Sequence, residues 1–333
     1  MPKDDESIKY HRIALAQLSF NPAYVDSSGT SDIHEPVFPE DQFHGLHKVA
    51  DIPEVAALRL SIAQSYTRHI SDKIKSVAEF AAARGVELLV LPEYSVPPEL
   101  LDTCRDLACR LRLAIVAGSH TVTQTAIERY RGLGIPTETA GKTVGRSVCP
   151  VFGSDGKCTL FEKMARSKWE SEMVPGVSIA PVSIDLNGEN VRLQVLICLD
   201  AIQDPPPGPT RRFRDSIPTL LVIPALSPDV NLFRNKAVLV LASGRCVVLA
   251  NGAEFGGSRL YARAERSATW FGAPDGTEAL PKGAEALVVA DVDLAHQYEV
   301  RQSTNEFFPV RDVQIYPLIY GELSVSLHDT ARP

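Results

Sequence analysis

The chain has 333 residues, 44% of them hydrophobic and 23% charged, and its 34 basic and 41 acidic side chains leave a formal net charge of −7. That balance lacks the basic footprint that supplies most nucleic-acid affinity, so no nucleic-acid partner is expected. The chain is too apolar for a disordered one and has no run near ~18 apolar residues, so no membrane span is expected. The acidic start, Met1-Pro2-Lys3-Asp4-Asp5-Glu6, lacks the apolar core of a signal peptide. Six cysteines without close pairs suit reduced thiols better than a disulfide scaffold, so a cytoplasmic location is expected. Neither CxxC nor HExxH occurs, and no spacing speaks for a metal.

The first predicted strand is Arg12 to Leu18. From 21 to 51 the composition turns to Pro, Ser, Gly, Asp and His without a sustained period, which predicts a surface insertion. Leu58, Ile62, Tyr66, Ile70, Ile74, Val77 and Phe80 then recur at steps of three and four, and Gly85 supplies a stop, so a helix with one buried face is predicted. Short apolar runs follow at Val86–Leu91, Leu113–Gly118, Val191–Cys198, Thr219–Pro224, Cys246–Asn251 and Ala286–Val292. Strands covered by helices on both faces read as such continuous runs. Helical stretches at Glu99–Leu111 and Asn231–Arg245 alternate with them, which gives a layered α/β architecture. Pro205-Pro206-Pro207-Gly208-Pro209 reads as a stiff loop, and 1–333 reads as one domain. The 21–51 insertion, Thr121–Val144 and the 205–209 loop are candidate lids.

Chemistry concentrates at the ends of core strands, where α/β folds place their sites. Leu91-Pro92-Glu93 delivers a carboxylate after one apolar run. Phe161-Glu162-Lys163 delivers a lysine beyond the turn Asp155-Gly156-Lys157. Ile197-Cys198-Leu199-Asp200 closes the most apolar run with a cysteine. Taken singly, each has a plain explanation: an inert buried thiol, a solvated loop glutamate, a surface lysine.

Their order changes that. Glu93, Lys163 and Cys198, accompanied by Ala16-Gln17, Gly118-Ser119, Asp155-Gly156, Pro175-Gly176, Val222–Ala225, Ala250-Asn251, Gly257-Ser258-Arg259 and Asp275-Gly276, resemble the nitrilase superfamily of carbon–nitrogen hydrolases. The resemblance extends over most of the chain and implies a four-layer α-β-β-α sandwich that pairs into a homodimer or larger homo-oligomer. It implies Cys198 as nucleophile, Glu93 as general base and Lys163 as the cation that steadies the tetrahedral intermediate. A further glutamate near the lysine is offered twice, by Glu170 and Glu172, with Glu170 preferred for its spacing and context. Leu199, Trp169, Glu172 and Arg212 are the candidate substrate contacts, Leu199 standing where an aromatic is common in the family. Arg212 belongs to the basic cluster Arg211-Arg212-Arg214, which reads first as a solvated positive face and second as a guanidinium fork for an anionic substrate group. Asn251 reads as a structural cap or turn. No metal or organic cofactor is implied.

A thiol of ordinary pKa about 8.5 needs such a base, because little thiolate is present at neutral pH. The expected activity is hydrolysis of a small amide, N-carbamoyl compound or nitrile through a cysteine thioester. The alternatives are acyl transfer to an amine, a catalytically silent scaffold or binding protein, and a thiol sensor.

Overall fold

The computed structural model describes residues 9–20, 53–167, 170, 173–177, 180–203, 220–241, 246–261, 279–294, 310–321 and 324–327. The insertion expected at 21–51 and the Pro-rich loop at 205–209 lie outside these residues. Among them no helix is long and apolar enough to cross a membrane.

In chain order the elements are β1 (His11–Gln17), α1 (Pro53–Ala83), β2 (Leu88–Val90), α2 (Leu101–Leu111), β3 (Ala114–Val116), β4 (His120–Thr121), α3 (Ile127–Gly132), α4 (Thr137–Lys142), β5 (Ser147–Phe152) and β6 (Cys158–Glu162). They continue with β7 (Val182–Leu186), β8 (Glu189–Val195), β9 (Leu220–Ala225), α5 (Val230–Leu241), β10 (Cys246–Asn251), β11 (Arg259–Tyr261), β12 (Ala286–Val292), β13 (Val310–Gly321) and β14 (Ser324–Leu327). Among the described residues they form two sheets. One has the order β14-β13-β12-β1-β2-β3-β5-β4 with β6 on β5, and the other runs β11-β10-β9-β8-β7.

Side-chain alternation builds the layers. Along β1, Ile13 and Leu15 join a core shared with Leu193, Val195 and Val222 of the second sheet. Ala14 and Ala16 turn the other way, onto Ile70, Ile74 and Val77 of α1 and Cys104 and Leu107 of α2. Both faces of the strand are buried, which is why its sequence is continuously apolar. On the second sheet α5 packs against β10, so the contacts are consistent with the expected helix–sheet–sheet–helix order. Gly85 follows α1 with φ +72°, the left-handed stop expected of it.

Two segments differ from expectation. Thr121–Val144, a candidate lid, instead holds α3 and α4, and Ile127, Tyr130, Leu133 and Ile135 are buried in the core beneath α2 and β5. Apolar anchors at that density hold a segment in place rather than free it to move. β7 was not anticipated; it pairs with β8 through Leu186↔Glu189 across Asn187-Gly188, both at positive φ as a two-residue hairpin requires.

Strand direction sets the site. β2 runs parallel to β3, β3 antiparallel to β5, and β5 antiparallel to β6. β6 therefore points the same way as β2, and the residues just past both strands emerge at one edge of the first sheet.

Candidate active site

Glu93 lies three residues past β2. Leu91 N–H still bonds Val116 O at 3.0 Å, and Ser95 closes a turn by donating its hydroxyl to Pro92 O at 2.7 Å. Tyr94 is held at φ +58°, a conformation that costs a non-glycine residue of order 1–3 kcal/mol, with its N–H on Ser119 O at 2.8 Å. Gly118 makes this possible: a Cβ there would sit 2.1 Å from Pro92 O. Lys163 follows β6 directly, its N–H on Ser147 O and its own carbonyl accepting from Gly176 N, each at 2.8 Å. Gly176 is required by this approach, since its Cβ would meet Glu162 Cβ at 2.5 Å. Cys198 lies past β8. Leu196 N–H keeps the sheet direction by bonding Val222 O at 3.0 Å, and the chain then turns sharply at Cys198, φ +47°, into a 3₁₀ turn over Cys198–Ala201.

The side chains converge. Lys163 Nζ donates to Glu93 Oε1 at 2.7 Å and to both oxygens of Glu170 at 2.7 Å. The second oxygen of Glu93 accepts from Leu226 N–H at 3.0 Å, and Cys198 lies near enough to that carboxylate for the two to shift each other's titration. Glu170 also accepts from Tyr94 Oη at 2.6 Å and Ser167 N–H at 3.0 Å. Glu93 and Lys163 are each 1% exposed, so these charges act on one another with little screening by water.

Burial sets the electrostatics. It pushes the Cys198 thiol well up, the Glu93 charge adds to this, and Lys163 works against it. The resting sulfur is therefore a neutral thiol beside a carboxylate able to take its proton. Burial also raises Glu93 above the usual carboxylate range, partly countered by Lys163, which makes it a stronger base. For Lys163 burial opposes the charge, but Glu93 and Glu170 outweigh it and hold the ammonium well above the ordinary lysine value. Glu170 is lowered: burial would raise it, and Lys163, Tyr94 and the Ser167 N–H more than offset that. One carboxylate is thus poised to take a proton and the other to stay charged.

Of the two glutamates expected near the lysine, Glu170 is the one found on Lys163; Glu172 lies outside the described residues, as do Trp169 and Arg212. Leu199 sits half-buried in the Cys198 turn. Asn251 is structural, as expected: its amide accepts from Ser227 N–H at 2.9 Å and donates to Ser227 O at 2.8 Å and Gly256 O at 2.7 Å. The sequence reading missed the Tyr94 hydroxyl, the Leu226 N–H and any role for Asp200. Each stands beside a residue that was singled out, at the end of LPE, of VIPA and of the Cys-x-Asp segment.

No family model matches the chain, and no curated protein matches it in sequence. Solved structures do. An amidase from Nesterenkonia sp. AN1, as a glutamate and cysteine double mutant in complex with acrylamide, is 17% identical over 89% of this chain and 94% of that one, with a TM-score of 0.52. Another structure of that amidase, with acrylamide added at its active-site cysteine, is 18% identical over 88% of this chain and 96% of that one, with a TM-score of 0.51. The C. elegans NitFhit protein is 15% identical over 88% of this chain and 63% of that one, with a TM-score of 0.53. The chain has the fold of the nitrilase superfamily, to which the Nesterenkonia amidase is assigned.

Proposed function

We propose that the protein is a carbon–nitrogen hydrolase that cleaves a small amide through a cysteine thioester. The observation that carries this reading is the convergence of Glu93 and Glu170 on Lys163 Nζ, each at 2.7 Å, with the buried Cys198 thiol close enough to feel both the Glu93 and the Lys163 charge. In this mechanism Glu93 takes the thiol proton as the sulfur attacks the amide carbon. The oxygen that gains charge is stabilised by the Lys163 ammonium and the Leu199 N–H, where losing one such donor typically costs ~10²–10³ in turnover. Glu93 then gives its proton to the departing nitrogen, and ammonia or an amine leaves behind a thioester. Water attacks that thioester with Glu93 again as base, releasing the acid and restoring the thiol. Glu170 holds Lys163 charged and in place throughout.

A small amide is favoured over a nitrile because the Nesterenkonia amidase, which shares the fold, is solved with acrylamide. A cytoplasmic location and a homodimer or larger homo-oligomer belong to the same reading and rest on composition and resemblance. The test is ammonia release from a panel of small amides, N-carbamoyl compounds and nitriles. We expect release from amides by the wild type and none by Cys198→Ala, whose circular dichroism should be unchanged. Wild-type release by that variant would end the proposal.

A further inference from the structure

Lys163 and Cys198 belong to different sheets: Lys163 follows β6 in the first and Cys198 follows β8 in the second. β6 and β8 are not paired to each other, so main-chain hydrogen bonding in the sheets leaves their relative position open. Besides Glu93, a second buried carboxylate lies between them. Asp200, in the turn that starts at Cys198, is 1% exposed. Its Oδ1 accepts the Ala165 N–H at 2.6 Å and the Met164 N–H at 3.0 Å, and its Oδ2 lies 3.2 Å from the same Met164 nitrogen. Those are the first two residues past Lys163. The Asp200 N–H closes its own turn on Ile197 O at 3.0 Å.

We propose that Asp200 is a positioning residue that locks the Cys198 turn to the Lys163 segment and so sets the distance between nucleophile and cation. This rests on the reading of Cys198 as nucleophile. Main-chain donors held by a carboxylate make a stiff joint, because charge-assisted bonds are about twice as strong as neutral ones. Precision matters here, since a misplacement of about 1 Å at a reacting centre can cost about 10²-fold in rate.

The joint is also ionisable. Burial lifts the Asp200 carboxyl to about 7, opposed by the Ala165 and Met164 N–H groups and by Lys163, and assisted by Glu93. Among the described residues the charged and titratable groups around it are Lys163, Glu93 and, in its own turn, Cys198, with Glu170 bound to Lys163. The ionised carboxylate accepts from both N–H groups. The protonated carboxyl gives up acceptor capacity to its own proton, so the lock loosens as pH falls through neutrality.

The test uses iodoacetamide, with alkylation mapped to Cys198 by peptide mass spectrometry from about pH 5 to about pH 9. The sulfur displaces iodide from the probe's methylene carbon, an S–C bond forms, and the thiol proton passes to Glu93. We expect Asp200→Ala to slow Cys198 labelling by about tenfold or more. Asp200→Asn, which keeps one acceptor oxygen, should recover part of the rate and lack the inflection near neutral pH that we expect of the wild type. Simple loss of structure would do the opposite, exposing Cys198 and speeding its labelling. Faster labelling, or wild-type rate and inflection in both variants, overturns the inference. Where Asp200→Ala does not fold, the pH profile of Asp200→Asn decides alone. Glu93→Gln separates the two claims: suppressed labelling there upholds the site reading whatever the Asp200 variants do, and wild-type labelling overturns the site reading itself.

Discussion

Lys163 shows how much one residue can carry when it is buried with two partners. Replacing it with Met preserves most of the volume but leaves Glu93 and Glu170 facing each other without a cation. Breaking a buried charge pair in this way costs about 3–5 kcal/mol, and losing the oxyanion donor costs a further ~10²–10³ in turnover. We therefore expect Lys163→Met to lose activity and to unfold at lower urea than the wild type. The sign with pH follows from linkage. In the wild type Glu170 is depressed by Lys163, so its contribution is present above the unfolded carboxyl value of 4.5 and is lost as pH falls through the lower folded value. Without the lysine both carboxylates should bind protons more readily in the fold, so the variant's stability deficit should shrink as pH falls; urea midpoints at neutral and mildly acidic pH check this. Gly118 is the second informative residue. Alanine there must adopt φ +64° with its Cβ 2.1 Å from Pro92 O, in the turn that delivers Glu93. Left-handed strain and overpacking together give roughly 2–5 kcal/mol, so Gly118→Ala should lower the melting temperature and reduce ammonia release.

At the scale of elements, His11 on β1 joins the two sheets. Its Nδ1 meets Glu87 at 2.8 Å, just ahead of β2, and its Nε2 meets Glu189 at 2.7 Å, the first residue of β8. Both ring nitrogens face carboxylates, so the protonated imidazolium is the form that satisfies both. Burial works against that charge, but the two glutamates outweigh it and His11 is raised above 6.5. A raised histidine adds stability that is fully present below 6.5 and is lost as pH rises through its folded value. We expect the urea midpoint to fall over that window in the wild type, and His11→Gln to remove that part of the slope. A wild-type slope retained in the variant would place the titration elsewhere.

For the whole molecule, the two sheets share one core, and its packing governs cooperativity. Leu193 of β8 is fully buried there together with Leu15 of β1 and Val90 of β2. Truncation to alanine leaves a cavity between sheets, with a cost of about 2–5 kcal/mol. Leu193→Ala should lower the urea midpoint with little change in the slope of the transition, because the sheets unfold together. A second transition, or a markedly shallower one, would show that they unfold separately.

The sequence by itself determined the strands that are buried on both faces. Cys246–Asn251 and Ala286–Val292 appear as predicted, because a strand with no solvent face has no polar positions to blur its limits. It also determined the order of Glu93, Lys163 and Cys198, each at the end of an apolar run. β7 and the helices α3 and α4 escaped that reading. β7 is half exposed with a mixed pattern, and α3 and α4 are six residues each, too short for a helical period to show. Only the tertiary structure decided that Glu93 and Glu170 share the Lys163 ammonium, that Tyr94 and the Leu226 N–H complete their hydrogen bonds, and that Asp200 spans the two sheets. These contacts join residues up to 133 positions apart. They depend on β6 running with β2 and on one sheet lying against the other, and no local pattern of residues encodes either relation.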